Sequence, residues 1–476
     1  MSSRFEATTI RHGADDATTA MASRTQTLTS PPSMEELKKS NISDVSTVRG
    51  QNDQPPASKE EPEIGNEYAA VDPPTESDSD FPEGGFRAWM CVFGVSCGTC
   101  ATFGFVNAWG VFQAYYQATL LKDSTPSDIA WIGSVQYALV FIPGLVFGRL
   151  FDMGIFKGPL IASSALLVAA TFLTAQCTQY WQFILCQGIA VGLGCGMIFG
   201  PIVGTIPHWF KKKLGVALGL MAVGSSIGGC VFPIAVQNLI NLVGFQWTMR
   251  IIGFIQLFLM GICILGAERR LPPRKRSGPF FNVRAFKSPA YTWYTISTFV
   301  SFLGLYTVLT YIDVSAQFAG VDPNFSFYLL SIANAGSAVG RVGGGILSDV
   351  VGALNIMIPA TFIAGILTYA WPFATSKGAI IVIAVIYGIA SGVYVSLLTA
   401  PIVRMGETHD VGNRIGMTLT VLAFGALGGP PISGAINDAT GNFKAVGIYA
   451  GSTVMGGVVL MLISRYYLLR SWRGKC

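Results

Sequence analysis

Gly148-Arg149-Leu150-Phe151-Asp152-Met153-Gly154 and Gly345-Ile346-Leu347-Ser348-Asp349-Val350-Val351-Gly352 decide how this chain is read. Each stretch closes a long apolar run, and in each an aspartate follows a glycine by four residues. The glycine lets two helices approach. The aspartate, about one turn further on, can pair with nearby cations or cap the N-terminus of a neighbouring helix. One such pattern is a weak signal. Two of them, each after the second apolar run of its half of the chain, point to an internal repeat.

Working outward, the chain from Ala88 on consists of apolar runs separated by short polar breaks. A membrane-crossing helix needs about 20 mostly apolar residues, and twelve stretches qualify: 88–113, 129–151, 159–177, 180–203, 214–238, 248–267, 290–316, 325–347, 353–374, 379–403, 412–436 and 444–469. Lipid offers backbone groups no hydrogen-bond partners, so each run is expected to be helical. Composition agrees. Of 476 residues, 51% are hydrophobic and only 12% charged, with a mean hydropathy of +0.51. A soluble domain carries about a quarter charged residues, so lipid must solvate most of this surface. The expected fold class is an all-α membrane protein: twelve transmembrane helices in two six-helix halves.

Charge orients the bundle. Lys211, Lys212 and Lys213 lie between runs 4 and 5. Arg269, Arg270, Arg274, Lys275, Arg276, Arg284 and Lys287 lie between runs 6 and 7. Arg404 and Arg414 flank the 10–11 connection, and Arg465, Arg470, Arg473 and Lys475 follow at the end. If the helices alternate in direction, these all fall on one side. The other side has only Lys122, Arg250, Lys377 and Lys444. The positive-inside rule then places the basic side and both termini in the cytoplasm. The expected organisation is a disordered cytoplasmic tail (1–85), a first half (86–267), a basic linker (268–289), a second half (290–470) and a short C-terminal tail (471–476). The first segment is rich in Ser, Thr, Pro, Asp and Glu and too poor in apolar residues to fold.

Enzyme readings fail on context. Gly224-Ser225-Ser226-Ile227-Gly228 matches a hydrolase nucleophile elbow, but that motif needs a strand before it and here sits within an apolar run. Cys97-Gly98-Thr99-Cys100 has redox spacing inside another such run. His12, His208 and His409 are dispersed and suggest no metal site, and no phosphate-binding loop is present. Neither an enzyme, a cofactor, a metal nor a nucleic-acid partner is expected.

With these residues in hand, the chain resembles a major facilitator superfamily transporter, whose loop signature the G-x-x-x-D pattern matches. Further stretches are similar to the fungal form of the monocarboxylate-porter branch. They are Pro82-Glu83-Gly84-Gly85-Phe86-Arg87-Ala88-Trp89 at the entry to run 1; Trp209-Phe210-Lys211-Lys212-Lys213 and Gly224-Ser225-Ser226-Ile227-Gly228-Gly229 around run 5; Asn334-Ala335-Gly336-Ser337 with Gly340-Arg341 in run 8; and Gly428-Gly429-Pro430-Pro431-Ile432-Ser433-Gly434 in run 11. The resemblance covers roughly 81–470. It implies two halves that rock about a central cavity lined by helices 1, 4, 7 and 10. The loop residues Gly148, Arg149, Asp152, Gly345 and Asp349 would then serve the conformational change.

The candidate substrate or coupling residues are Arg341, Asn107, Tyr311, Asn334, Ser337, Asp313 and Tyr394. Arg341 leads. It lies eight positions before Asp349, roughly 12 Å deeper at about 1.5 Å per residue, where a cation is costly unless paired or wetted. Animal lactate carriers pair the corresponding arginine with an aspartate where this chain has Ser337, and carry a lysine where it has Asn107. Neither replacement titrates near neutral pH. The other in-membrane polar residues, Gln113, Gln117, Gln136, Gln187, Gln237, Asn238 and Thr310, are read as either interhelical glue or cavity lining. The glycine repeats Gly192/Gly196/Gly200, Gly224/Gly228, Gly388/Gly392 and Gly425/Gly429 are either sliding surfaces or static packing.

The expected function is alternating-access transport of a small organic acid or amphipathic metabolite, with export of a specialised metabolite leading. The alternatives are import of a monocarboxylate or a vitamin such as riboflavin, and a membrane sensor that binds solute without moving it. The expected partners are the substrate and the lipid bilayer, with proton coupling and the oligomeric state, a monomer included, left open; the expected location is the plasma membrane.

Overall fold

The computed structural model describes residues 82–271, 283–406, 411–471 and 474–475. The tail before residue 82, Arg274, Lys275 and Arg276 of the linker, His409 and Arg473 lie outside them. Among the described residues every regular element is helical.

Ten stretches are long and apolar enough to cross a membrane: Phe86–Leu120, Asp128–Asp152, Lys157–Thr174, Tyr180–His208, Leu214–Gly266, Pro289–Phe318, Ala353–Phe373, Lys377–Arg404, Val411–Thr440 and Phe443–Leu469. Two more crossings complete the twelve. Leu214–Gly266 is 53 residues long, about twice what a bilayer needs, and it is interrupted at Gly244, whose φ of 78° and ψ of 167° leave the helical region. Glycine adopts this conformation without a steric penalty. The break divides α5 (214–243) from α6 (245–266). The other crossing, Tyr328–Val351, has the length but lower hydropathy, because it carries Ser331, Asn334, Ser337 and Arg341. In chain order the first four stretches are α1 to α4, Pro289–Phe318 is α7, Tyr328–Val351 is α8, and the last four are α9 to α12.

The side chains are distributed for lipid rather than water. Leu242, Phe254, Phe258, Leu265, Val350 and Val459 all face outward. Inside, one large apolar cluster joins both halves, and a smaller one gathers around Val308, Ile312, Leu329 and Trp371 of the second half.

Two kinds of glycine seam hold the bundle. The first lies within each half. Gly224 abuts Ser96 and Gly228 abuts Gly104 between α5 and α1; Gly388 and Gly392 meet Ala333 and Ser337 between α10 and α8; Gly425 and Gly429 meet Phe299 and Leu303 between α11 and α7; and Gly192, Gly196 and Gly200 meet α2. The four glycine repeats evident in the sequence are therefore packing inside a half. The second kind joins the halves and involves other glycines: Gly215 and Gly219 of α5 against Gly345 and Arg341 of α8, and Gly144 and Gly148 of α2 against Gly416 and Gly412 of α11. Both inter-half seams lie towards the end of the bundle that carries Lys211 to Lys213, called here the basic end.

At that end the loop pattern does two jobs. Gly148 touches the Gly412 backbone, which brings Asp152 Oδ2 within 2.9 Å of the Asn413 N–H at the head of α11. Gly345 touches the Gly215 backbone, and Asp349 accepts from the N–H groups of Gly215 at 2.6 Å and Val216 at 2.9 Å at the head of α5. Each half thus sends one carboxylate to a helix N-terminus of the other, where unpaired amides and the helix dipole favour negative charge. Arg269, just beyond α6, donates to the Asp152 carbonyl at 3.1 Å and lies over the Phe151 ring. Partial burial lowers its pKa, and the nearby Asp152 charge opposes that. At the opposite end, the outer parts of α1 and α7 pack chiefly within their own halves.

Candidate functional site

Polar residues on one face of α8 build the site. Ser331, Asn334, Arg341 and Asp349 are spaced by three, seven and eight residues, which puts them on one stripe of a helix. All four meet α5 of the opposite half. The Ser331 carbonyl lies 3.3 Å from Cys230 Sγ, Asn334 Nδ2 donates to the Gly229 carbonyl at 3.3 Å, and Asp349 caps the helix head. Arg341 makes the strongest link. Its Nη1 donates to the Ala222 carbonyl and to Ser225 Oγ, while its Nε donates to Ser337 Oγ one turn back on its own helix at 3.1 Å.

Arg341 is only 6% exposed. Its hydrogen-bond partners are all uncharged, and Nη2 has no protein acceptor among the described residues. A buried cation without a carboxylate retains a large unmet attraction for an anion. Its surroundings form a tight cavity of about 30 Å³ between the halves. Asn107 and Phe103 of α1, Ser225 of α5, Tyr306 of α7, Asn334, Ser337 and Arg341 of α8 and Ser391 of α10 line it, with Leu305, Leu309, Ala333 and Val395 as its remaining apolar surface.

The structure brings four of the seven sequence candidates together here: Arg341, Asn107, Asn334 and Ser337. It places the other three elsewhere. Tyr311 donates its hydroxyl to the Pro430 carbonyl at 3.0 Å, tying α7 to α11. Asp313 accepts from Gln317 of its own helix at 3.0 Å near the outer end of α7. Tyr394 is fully buried beside the Phe302 ring. Of the other polar residues, Gln187 of α4 is interhelical glue, accepting from Tyr116 of α1, whereas Gln113 accepts from Trp109 of its own helix at 2.9 Å.

Three polar lining residues, Ser225, Tyr306 and Ser391, escaped the sequence reading. Ser225 was visible in the glycine-serine stretch of run 5, but nothing in that stretch said which serine faces the other half. Tyr306 sits in an apolar context with no signal beyond its helix. The helices also differ from expectation. The cavity is lined by α1, α5, α7, α8 and α10, while α4 is held off because its Phe199 packs against Phe103 at 4.5 Å, so that the α1 ring stands between them.

Comparison with known proteins fits this architecture. The sequence pattern of the Major Facilitator Superfamily matches residues 95–430. The aspyridones efflux protein of Emericella nidulans is 37% identical over 402 residues, covering 84% of this chain and 82% of that protein. The agnestins efflux protein of Paecilomyces divaricatus is 34% identical over 419 residues, covering 87% and 94%. Among solved structures, a human organic anion transporter superposes with a TM-score of 0.63 at 12% identity, over 79% of this chain and 99% of that one. The E. coli fucose–proton symporter superposes with a TM-score of 0.59 at 15% identity, over 80% and 98%; at these identities the likeness concerns the fold alone. A twelve-helix bundle in two halves, a cavity between them and a sequence match over most of its length make this chain a multi-pass membrane transporter of the Major Facilitator Superfamily, not an enzyme.

Proposed function

We propose that the chain exports a small anionic, amphipathic specialised metabolite across the plasma membrane by alternating access. The observation that carries this reading is the placement of Arg341: a buried guanidinium with uncharged partners, lining the cavity and donating across the seam between the halves. Arg341 recognises the anionic group of the substrate. Phe103, Tyr306, Leu305 and Leu309 take its apolar body, and Asn107, Asn334 and Ser337 supply hydrogen bonds.

The same contacts link binding to movement. A substrate anion competes with the Ala222 carbonyl and Ser225 for the guanidinium. Binding therefore loosens a contact between the halves that otherwise keeps the basic end shut. The basic end is the cytoplasmic one by the positive-inside rule, with both termini on that side and the stretch 1–85 as a cytoplasmic tail. Relatives named as efflux proteins support the outward direction. The entry to α1 and the α8 motif support assignment to the fungal monocarboxylate-porter type.

No described lining residue carries a carboxylate. A coupled proton would then travel on the substrate or through groups away from this cavity. The test is transport by reconstituted vesicles across a panel of organic acids and metabolites, with and without an imposed pH gradient. Outward movement of anionic members is expected. If no compound moves in either direction, a solute sensor becomes the better reading; inward movement alone would favour an importer.

A further inference from the structure

Glu83 precedes α1, and its backbone φ is 49°, in the left-handed region that few residues other than glycine enter. Gly84 and Gly85 follow at 153° and 87°. This run of positive φ explains the Glu-Gly-Gly spelling: two glycines make the reversal, and the glutamate tolerates its share because its side chain is needed. The Glu83 N–H donates to the Trp209 carbonyl at 3.3 Å, and the Trp89 ring lies 5.0 Å from that of Phe210. So held, the Glu83 carboxylate meets three successive backbone amides. Oε1 accepts from Lys211 at 2.8 Å and Lys212 at 2.6 Å, and Oε2 accepts from Lys213 at 3.0 Å.

Those three amides lead directly into α5, whose first residue is Leu214. The amides of Gly215 and Val216, just beyond, are the ones Asp349 holds. One helix N-terminus thus receives two carboxylates. Asp349 comes from the opposite half and must leave when the basic end opens. Glu83 belongs to the same half as α5, and nothing in the rocking movement requires it to leave.

We propose that Glu83 is a positioning residue of the gate at the basic end. It keeps the 211–213 turn in the shape that presents the Gly215 and Val216 amides, so that the socket for Asp349 persists while Asp349 is away. The amides that open a helix have no intrahelical acceptors. Without a fixed anion they turn to water and the first turn frays, and Asp349 must then reorder the turn each time it returns. A carboxylate suits the task, since its bonds to N–H groups are charge-assisted and it complements the helix dipole. The proposal rests on reading the basic end as a gate that opens and closes; it does not depend on which substrate passes.

The experiment is thiol labelling of the full-length protein in membranes. Ser348, buried at the α5–α8 seam, is replaced in a Ser348→Cys variant, and a membrane-impermeant maleimide is applied from the basic side; labelling of the parent protein is subtracted. Glu83→Gln is expected to speed labelling several-fold, approaching the rate of Asp349→Asn. The double variant should label no faster than Asp349→Asn alone, because both changes act on one socket. A thermal melt is run alongside. Faster labelling with an unchanged melt is the expected result. A lowered melt with unchanged labelling assigns Glu83 to stability alone and overturns the proposal, as do effects of Glu83→Gln and Asp349→Asn that simply multiply. The readout needs no transported compound, so a failed transport assay leaves it interpretable.

Discussion

Asp152 of α2 reaches the backbone amide of Asn413 at the head of α11, in the other half of the molecule, at 2.9 Å. Asp349 repeats the arrangement at the head of α5. Both bonds hold the basic end closed, and both gain from the helix dipole, by about 0.3–1 kcal/mol for an exposed carboxylate. Asp152→Asn keeps the shape and removes the charge. It should shift the balance between closed and open forms by about fivefold for roughly 1 kcal/mol. The expected outcome is slower transport with faster thiol labelling at the basic end, measured in the same membranes. Unchanged labelling would show that the charge of Asp152 does not hold this end closed.

The glycines of the loop pattern make a sharper case, because their role is steric. A Cβ on Gly148 would lie 2.6 Å from the Gly412 carbonyl oxygen, and one on Gly345 would strike the Gly215 backbone. Gly148→Val and Gly345→Val should wedge the halves apart and prevent closure of the basic end, reducing transport at least tenfold with normal membrane insertion. Gly343 is the control. It lies on the same helix with nothing within 4 Å of an added Cβ, and Gly343→Ala should be harmless or slightly stabilising, since alanine is the better helix former by about 1 kcal/mol. Equal loss from all three substitutions would remove the steric argument.

The contrast between these glycines shows what the sequence could and could not convey. Hydropathy showed the crossings, and the paired G-x-x-x-D pattern showed the repeat, because both follow from local spacing. The partners of Asp152 and Asp349 could not be read, since they lie 261 and 134 residues away along the chain. The four glycine repeats singled out in the sequence pack within each half; the seams between halves use Gly144/Gly148, Gly215/Gly219 and Gly412/Gly416, which have the same four-residue spacing, so spacing alone does not tell one kind of seam from the other. Arg341 was legible because a cation in an apolar run is costly. Ser225 was not, because a serine inside a helix is cheap wherever it faces, and only the packing of α5 on α8 makes it a partner of Arg341.

Arg341 itself should be the most sensitive residue for transport. Arg341→Ala removes the cation and its cross-seam bonds together, and transport is expected to fall to background with insertion retained. Arg341→Lys keeps the charge but not the geometry. A lysine is a point donor on a flexible stem and cannot hold Ser337 on one helix and Ala222 with Ser225 on the other as the guanidinium does. Its transport should be impaired, with the larger loss for the more weakly binding anions in the panel. Wild-type rates in either variant would end the claim that this side chain binds substrate.

Ser337 offers the converse test, adding a competitor instead of removing the cation. Its Oγ accepts from Arg341 Nε at 3.1 Å. In Ser337→Asp a carboxylate stands where a weak neutral acceptor stood, and it neutralises the guanidinium before any substrate arrives. A hydrogen bond to a charged group contributes about 1.5–3 kcal/mol, so apparent affinity for an anionic substrate should fall by roughly 10- to 100-fold. Ser337→Asn, similar in size and uncharged, should stay close to the parent protein. Transport assayed at several substrate concentrations separates the two variants: a raised KM for the aspartate alone supports an anion held by Arg341, and matching kinetics for both would mean that the charge of Arg341 is not what the substrate meets.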